Sequence, residues 1–269
     1  MRNNRIFWGF VLILLGGLFL MQTLGLLPWN AWAYFWPLFL ILLGAWVLLR
    51  PRLGGRAQAE VQNLNIPLEN GQEGVIEFNH GAGRLLVSGG AAPANLMEGS
   101  FVGGVRHAVR REAGKVNLKL SADPVITPLD IPWLGGEEGL RWDVRLANGL
   151  PLDLTFHTGA GEGKINLRDV NAQKVLLETG ASSTEIILPA NTPYTRVDVH
   201  AGAASVVLRV PAGVAGRIVL DSGLVGTKID PQRFPRIGSQ YETPGYASAE
   251  KRVEIKVEAG AGSIEVISD

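Results

Sequence analysis

The chain has 269 residues, no cysteine and a formal net charge of zero. The absence of cysteine excludes a disulfide framework, a thiolate metal site and a cysteine nucleophile. Five of the 25 basic residues precede residue 60, which leaves 20 basic against 25 acidic residues, a net charge of about −5, for the remainder. This acidic balance disfavours nucleic acid as a partner.

Two uncharged apolar runs open the chain, residues 6–27 and 31–49, and only Pro28, Trp29 and Asn30 separate them. About 20 apolar residues are needed to cross the hydrocarbon core of a bilayer. A cleaved signal peptide has a shorter apolar stretch, and a second such run does not follow it directly. We therefore predict a two-helix transmembrane hairpin in residues 1–52, embedded in the lipid bilayer.

Basic residues flank the predicted hairpin, while the turn between its spans is uncharged. These residues are Arg2, Arg5, Arg50, Arg52 and Arg56. By the positive-inside rule, both termini and everything after the second span are expected in the cytoplasm, as in a multi-pass protein of the cell membrane. Residues 53–59 are polar and contain glycine, which predicts a short linker.

From residue 60 onward, short runs alternate apolar and polar side chains at period two, which is typical of β-strands. Examples are residues 75–78, 152–156 and 253–258. No amphipathic helical pattern appears in this part of the sequence. We predict one all-β domain over residues 60–269.

Five similar turns join the predicted strands, each with a glycine, an alanine and a third small residue. The first glycines are Gly81, Gly159, Gly180, Gly202 and Gly260. Three of them are spaced by 21 and 22 residues, and a degenerate copy follows at Gly223, so a stacked, β-solenoid-like repeat is expected. A recurrent glycine suggests either positive φ or strands too close for a side chain, and the small third residue favours crowding.

Two stretches interrupt the repeat, residues 123–149 and residues 230–249. The first contains prolines and a Gly-Gly pair, and a strand pattern resumes within it from Leu140. The second is polar and contains three prolines and two tyrosines. Insertions on a repeat scaffold can be binding loops or covers over the ends of the stack, and both interpretations stay open.

Motifs for catalysis and for cofactor binding fail on their physical requirements. Residues 158–165 approach a phosphate-binding loop, but Ile165 stands where a magnesium-binding hydroxyl is needed, and a strand follows where a helix is required. The sequence has neither a Gly-x-Ser-x-Gly elbow nor a His-Glu-x-x-His motif. We therefore predict a protein without enzymatic activity and without a cofactor.

The repeat aligns four ionisable residues two positions before the turn glycine: His157, Glu178, His200 and Glu258. On a stack such positions recur about every 4.8 Å, so a row that binds a metal or responds to pH is geometrically possible. The alternative is a polar row of cross-strand pairs, each contributing about 0.2–1 kcal/mol. The polar row is favoured, because metal ligands converge and a flat row diverges.

Two segments resemble regions of bacterial cell-envelope stress proteins. Residues 5–50, with Phe7-Trp-Gly-Phe and Trp36-Pro-Leu-Phe, resemble the LiaI/LiaF-type membrane region. Residues 142–189, with Thr158-Gly-Ala-Gly and Thr179-Gly-Ala, resemble the β-rich domain of LiaF-like and related toastrack proteins. The resemblance implies a transmembrane hairpin fused to a toastrack domain.

The resemblance also implies an accessory role, because LiaF-like proteins restrain a membrane histidine kinase that responds to envelope damage. The expected partner is then a sensor histidine kinase, bound through the β-repeat domain. The alternative is a self-assembling scaffold, a homo-oligomer in which open edges of the stack pair between copies at the membrane. Charged substitutions at Ile264 or Val266 would then abolish self-association, if the C-terminal strand is an edge.

Overall fold

β-Strands make up most of the chain that the computed structural model describes, which is residues 61–122 and 140–269. A 3-10 turn, Tyr246–Ser248, is the helical element of these ranges. The predicted all-β class is therefore confirmed for the described part of the chain. The strands are β1 (Val61–Pro67), β2 (Glu73–Gly89), β3 (Asn95–Val102), β4 (Val105–Glu112), β5 (Lys115–Ala122), β6 (Arg141–Leu146), β7 (Leu152–Asn166), β8 (Ala172–Ile187), β9 (Tyr194–Val210), β10 (Ala215–Ile229), β11 (Arg236–Ile237), β12 (Gln240–Glu242) and β13 (Arg252–Ser268).

The predicted transmembrane hairpin, its five flanking arginines and the linker of residues 53–59 lie outside the described residues. Within residues 61–122 and 140–269, no helix combines the length and the apolar character needed to cross a membrane.

Six long strands carry the repeat: β2, β7, β8, β9, β10 and β13, each of 15 to 17 residues. The repeat turn lies inside each strand, as a bend. In β9 the buried residues are odd-numbered before Gly202, as at Val197 and Val199, and even-numbered after it, as at Val206 and Leu208. Because side chains alternate along a strand, this change of phase turns both halves of β9 toward one shared core.

The six bent strands are parallel and lie in the order β2-β7-β8-β9-β13-β10. The sequence period predicts a different order, in which β10 follows β9 directly. Instead β13 lies between them, so the C-terminal strand is not an edge. The condition for the expectation on Ile264 and Val266 is therefore not met: both side chains are buried, and they are in register with Val206 and Leu208 of β9.

The bend divides the sheet into two layers around the core. We call the parts before the bends the leading layer and the parts after them the trailing layer. At β2 the layers separate: residues 73–79 pair with β5, which pairs with β4, whereas residues 84–89 pair with β6, which continues to β3 and β1. A hydrophobic cluster fills the space between the layers, and its largest side chains include Trp142, Phe78, Phe101 and Phe156.

Residues 230–249 cover the far end of the stack. β12 pairs antiparallel with the leading half of β10, and β11 pairs with β12. Phe234 and Tyr246 are buried, and the guanidinium of Arg217 lies 4.3 Å from the centre of the Tyr246 ring. Arg233 donates to the carbonyl oxygens of Val210, Pro211 and Val214. Of the two interpretations of this insertion, the structure favours the cover.

Candidate interaction surface at the strand bends

The bends are crowded because neighbouring backbones approach closely there. A Cβ atom added to Gly159 would lie 2.3 Å from the carbonyl oxygen of Gly81, and one added to Gly180 would lie 2.8 Å from the carbonyl oxygen of Gly159. At Gly202 and Gly260 the corresponding distance is 3.1 Å. Gly81 is the exception, since an added Cβ would meet nothing within 4 Å. None of these five glycines has positive φ, so crowding rather than backbone conformation explains four of them.

The third residue of each turn obeys a different rule. Gly83, Gly161 and Gly262 have φ values of 118°, 135° and 115°, in the region that L side chains avoid. Ser182 and Ala204 occupy the same position with negative φ. Positive φ therefore recurs at the third position wherever a glycine occupies it. This was missed from the sequence, because the small third residue was explained by crowding alone.

Six polar side chains from six neighbouring strands stand in one row beside the bends. We call this set the polar row. The strand register aligns its members in the order Asn79, His157, Glu178, His200, Glu258 and Asp221. The four residues singled out from the sequence are therefore adjacent and alternate between histidine and glutamate. Asn79 and Asp221, which extend the row at its two ends, were not singled out.

Histidine and glutamate pair across the strands of the row. Nδ1 of His157 lies 2.8 Å from Oε2 of Glu178, and Nδ1 of His200 lies 3.2 Å from Oε2 of Glu258. Their side chains are between 35% and 48% exposed. Exposed cross-strand pairs of this kind contribute about 0.2–1 kcal/mol each. The geometry is that of an open polar surface.

Lysines at neighbouring positions lower the pKa of Glu258, which belongs to the polar row, and of Glu77, which hydrogen-bonds Asn79 of the row. Glu77 accepts from Nζ of Lys119 at 2.7 Å and from Nδ2 of Asn79 at 2.9 Å, and these bonds lower its pKa. The pKa of Glu258 is lowered mainly by the hydrogen bond from Lys256, at 2.5 Å. A hydrogen bond to the charged form favours that form, so these carboxylates are ionised at neutral pH.

Two open grooves follow the polar row. The first, of about 820 Å³, runs from Asn79 to His200, and its lining includes Gly159 and Gly180. The second, of about 520 Å³, extends from His200 to Asp221. Together the two grooves follow the polar row across the six bent strands, and the lining of the first also includes Ala82, Ala122 and Leu140.

Beneath the first groove lies a histidine that sequence reasoning missed. His80 immediately precedes Gly81, at the position that the other copies fill with Thr158, Thr179, Ala201 and Ala259. It is 2% exposed, and neither ring nitrogen has a hydrogen-bond partner among the described residues. Burial lowers its pKa to about 4, so the ring is neutral at physiological pH. Alignment of the copies contained the signal, because His80 is the one large polar residue in a column of small ones.

The threonines of that column form a short chain of hydroxyl groups. Oγ1 of Thr158 donates to Oγ1 of Thr179 at 2.9 Å, and Thr179 lies 2.5 Å from Oγ of Ser182. Ser182 in turn lies 3.1 Å from Oγ1 of Thr184. These bonds satisfy polar groups at the bend, which gives Ser182 a structural role.

The described residues contain no group of three or more histidine, aspartate or glutamate side chains placed to hold a metal ion. The row separates its ligand-type side chains along the stack, one on each strand. The structure thus brings His157, Glu178, His200 and Glu258 together as neighbours without making them converge on one point.

Residues 55–209, well over half of the chain, match the family model described as the N-terminal domain of toast_rack, DUF2154. The chain belongs to the toast_rack family. Residues 6–48 match a second model, the LiaI-LiaF-like transmembrane region, which indicates association with a membrane. The resemblance read from the sequence is confirmed for both the membrane segment and the toast_rack domain. No curated protein gives a significant match.

A solved structure shares the fold of the toast_rack domain. A candidate cell adhesion protein from Clostridium sporogenes ATCC 15579 superposes with a TM-score of 0.71 at 17% identity, over 78% of this chain and 99% of that one. At this identity the likeness is one of fold alone. A candidate adhesin from Bacteroides fragilis NCTC 9343 gives a TM-score of 0.31 at 11% identity, over 79% of this chain and 100% of that one, which is too distant to support an argument.

Proposed function

We propose that this chain is a membrane-anchored accessory protein without enzymatic activity, which regulates a bacterial cell-envelope stress response by binding a protein partner. The observation that carries the proposal is the union, in one chain, of a LiaI-LiaF-like transmembrane region and a toast_rack domain. The partner is a membrane sensor histidine kinase, as in the LiaF-like proteins that the sequence resembles.

The polar row supports a protein partner over a small substrate. Its side chains stand on an open face, one on each strand, and its two histidines pair with Glu178 and Glu258 on neighbouring strands. A substrate is held by groups that converge in a concave site, whereas the side chains of the polar row are spread over six strands, which favours contact with another protein. We therefore place the partner on the polar row and its two grooves.

The proposed topology has two transmembrane spans, with both termini and the toast_rack domain in the cytoplasm. Its support is the distribution of Arg2, Arg5, Arg50, Arg52 and Arg56 around two uncharged runs. The toast_rack domain would then bind the cytoplasmic part of the kinase.

The first test is protease digestion of sealed spheroplasts that contain the full chain. Protection of the toast_rack domain until the membrane is broken supports the cytoplasmic placement. Cleavage in intact spheroplasts overturns that placement, and with it a partner on the cytoplasmic side.

The second test introduces a photoreactive amino acid at His157 or His200, in cells challenged with a compound that damages the cell wall. The matched control carries the same group at Gln173, which is exposed on β8 outside the polar row. We expect a covalent product with a membrane histidine kinase from the two row positions and not from Gln173. Equal labelling from all three positions, or no kinase among the products, contradicts the proposal.

A self-assembling scaffold is the second candidate function, because in the described part of the chain the trailing layer has a strand edge without a partner at each of its two ends. β1 ends the layer on one side, and residues 224–229 of β10 have no strand partner on the other side among the described residues. A scaffold predicts assemblies that grow with protein concentration. Analytical ultracentrifugation of the full chain in detergent distinguishes this behaviour from a species of fixed size.

A further inference from the structure

Strand edges that lack a neighbour tend to pair with other strands unless something blocks them. In residues 61–122 and 140–269 there are four such edges: β1 and the trailing half of β10 in the trailing layer, and β4 and β11 in the leading layer. The four edges differ in the features that oppose pairing with another strand, and β1 has the fewest of them.

Three of the edges carry features that oppose pairing. β4 has the charged residues Arg106, Arg110, Arg111 and Glu112 within eight residues. β11 is two residues long. The trailing half of β10 carries Lys228, whose side chain is 77% exposed. Charge and short length are both devices by which edge strands avoid association.

β1 lacks such protection except at its C-terminal end, where Arg111 donates to the carbonyl oxygen of Pro67. Its sequence, Val-Gln-Asn-Leu-Asn-Ile-Pro, contains no charge, and Pro67 and an irregularity in register occur only at its C-terminal end. Leu64 and Ile66 face the core, while Val61, Asn63 and Asn65 are exposed. Val61 is 54% exposed, one of three large hydrophobic residues so exposed in the described part of the chain.

We propose that β1 pairs antiparallel with β1 of a second copy of this chain, so that the trailing layers of two copies join into one sheet. The strand is self-complementary about Leu64. With Leu64 opposite its counterpart, Asn63 lies opposite Asn65 of the second copy, and Gln62 lies opposite Ile66. The exposed residues of both strands then share one face and the inward residues share the other, as sheet register requires.

A second copy suits this edge because two uncharged strands meet without repulsion, and an isologous contact closes at two copies. The transmembrane region confines all copies to one plane, which raises the effective concentration of one edge for another. Pairing of β1 with β10 would instead produce an open chain of copies and would bring Lys228 into the new ladder. The dimer goes beyond the accessory role, since it forms whether or not a kinase is bound.

The first experiment is disulfide cross-linking of the full chain in native membranes, which is clean because the chain has no cysteine. The double variant Asn63→Cys/Asn65→Cys places each new thiol opposite a thiol of the second copy. The matched control, Ala108→Cys/Arg110→Cys, has the same spacing on exposed residues of the blocked edge β4. On mild oxidation we expect at least about fivefold more covalent dimer from the β1 variant, and equal yields from the two variants would overturn the proposal.

A second experiment counts subunits in nanodiscs by single-molecule photobleaching. Asn63→Lys/Asn65→Lys brings lysines of the two copies opposite each other and should convert two-step bleaching into one-step bleaching. Thr227→Lys, on the edge of β10, should leave two steps, and circular dichroism verifies that each variant is folded. Persistence of two steps in the β1 variant, bleaching in more than two steps in the unmodified chain, or cross-linking of β1 only to a different membrane protein overturns the proposal.

Discussion

The imidazole of His80 lies 4.9 Å from the indole of Trp142, and the nitrogens of both rings lack hydrogen-bond partners within the described residues. The ring of Phe101 also contacts the indole, with its centre 5.2 Å away and its plane nearly perpendicular. The aromatic contacts account for the burial of both rings, but not for their unpaired nitrogens. A buried imidazole in such surroundings resists protonation, so the stability of the folded domain should depend on pH.

We expect His80 to make the domain less stable in acid. Its pKa is about 4 when folded, against about 6.5 in the unfolded chain, so the unfolded state binds the proton first. Its contribution is fully present above pH 6.5 and is lost as the pH falls from about 6.5 to 4. Between pH 7 and pH 4 the loss is about 3 kcal/mol of unfolding free energy. Urea unfolding of the full chain in detergent, followed by circular dichroism, measures it.

The variant His80→Thr places at this position the residue type found at Thr158 and Thr179. It should remove the loss of unfolding free energy between pH 7 and pH 4, whatever it does to the unfolding free energy at pH 7. His107→Gln, which replaces an exposed histidine on β4, is the control variant. The assignment to His80 fails if His80→Thr and the unmodified chain lose the same free energy between pH 7 and pH 4.

Two glycines at the same repeat position should respond differently to one methyl group. Gly159→Ala drives its Cβ to within 2.3 Å of a carbonyl oxygen and should lower the unfolding free energy by about 1–3 kcal/mol. Gly81→Ala meets nothing within 4 Å and should change it by no more than about 0.5 kcal/mol. Thermal and urea unfolding of both variants check the pair, and equal effects would refute the crowding explanation.

Substitution of Arg233, a half-buried residue of the cover, should destabilise the domain. Besides its three carbonyl acceptors, its guanidinium donates to Oγ of Ser268 at 2.5 Å, and burial lowers its pKa. Arg233→Met leaves these acceptors unpaired and should cost about 2–4 kcal/mol of unfolding free energy. Arg236→Met, at an exposed arginine whose guanidinium bonds the carbonyl of Gly238, is the control and should cost under about 0.5 kcal/mol.

Zinc should leave the stability of the domain unchanged, because the polar row does not converge. We expect the thermal midpoint of the full chain to be the same with and without Zn²⁺ at a slight molar excess. A rise in the midpoint that disappears in both His157→Ala and His200→Ala would show that the row binds metal after all.

The local features of the fold could be predicted from the sequence because they arise from short-range patterns. Alternation at period two identified the strands, and the recurrence of Gly-Ala-small identified the bends. The alignment of His157 with Glu178 followed from the repeat, since equal positions in parallel strands meet in register.

The order of the strands could not be predicted, because a period fixes the unit but not which unit lies beside which. Gly81 and Gly159 are 78 residues apart in sequence, yet their strands are neighbours. The division into two layers at β2 was missed for the same reason. His80 was missed because its burial depends on Trp142, which comes from a different strand and layer.

The position of β13 between β9 and β10 imposes a sequence of events on synthesis. β10 leaves the ribosome before β13, yet the place beside β9 belongs to β13. More than 20 further residues are made between the end of β10 and the start of β13. The native pairs of β13 with β9 and with β10 can therefore form only after translation has passed the cover, so the stack cannot reach its native strand order one strand at a time as the chain emerges.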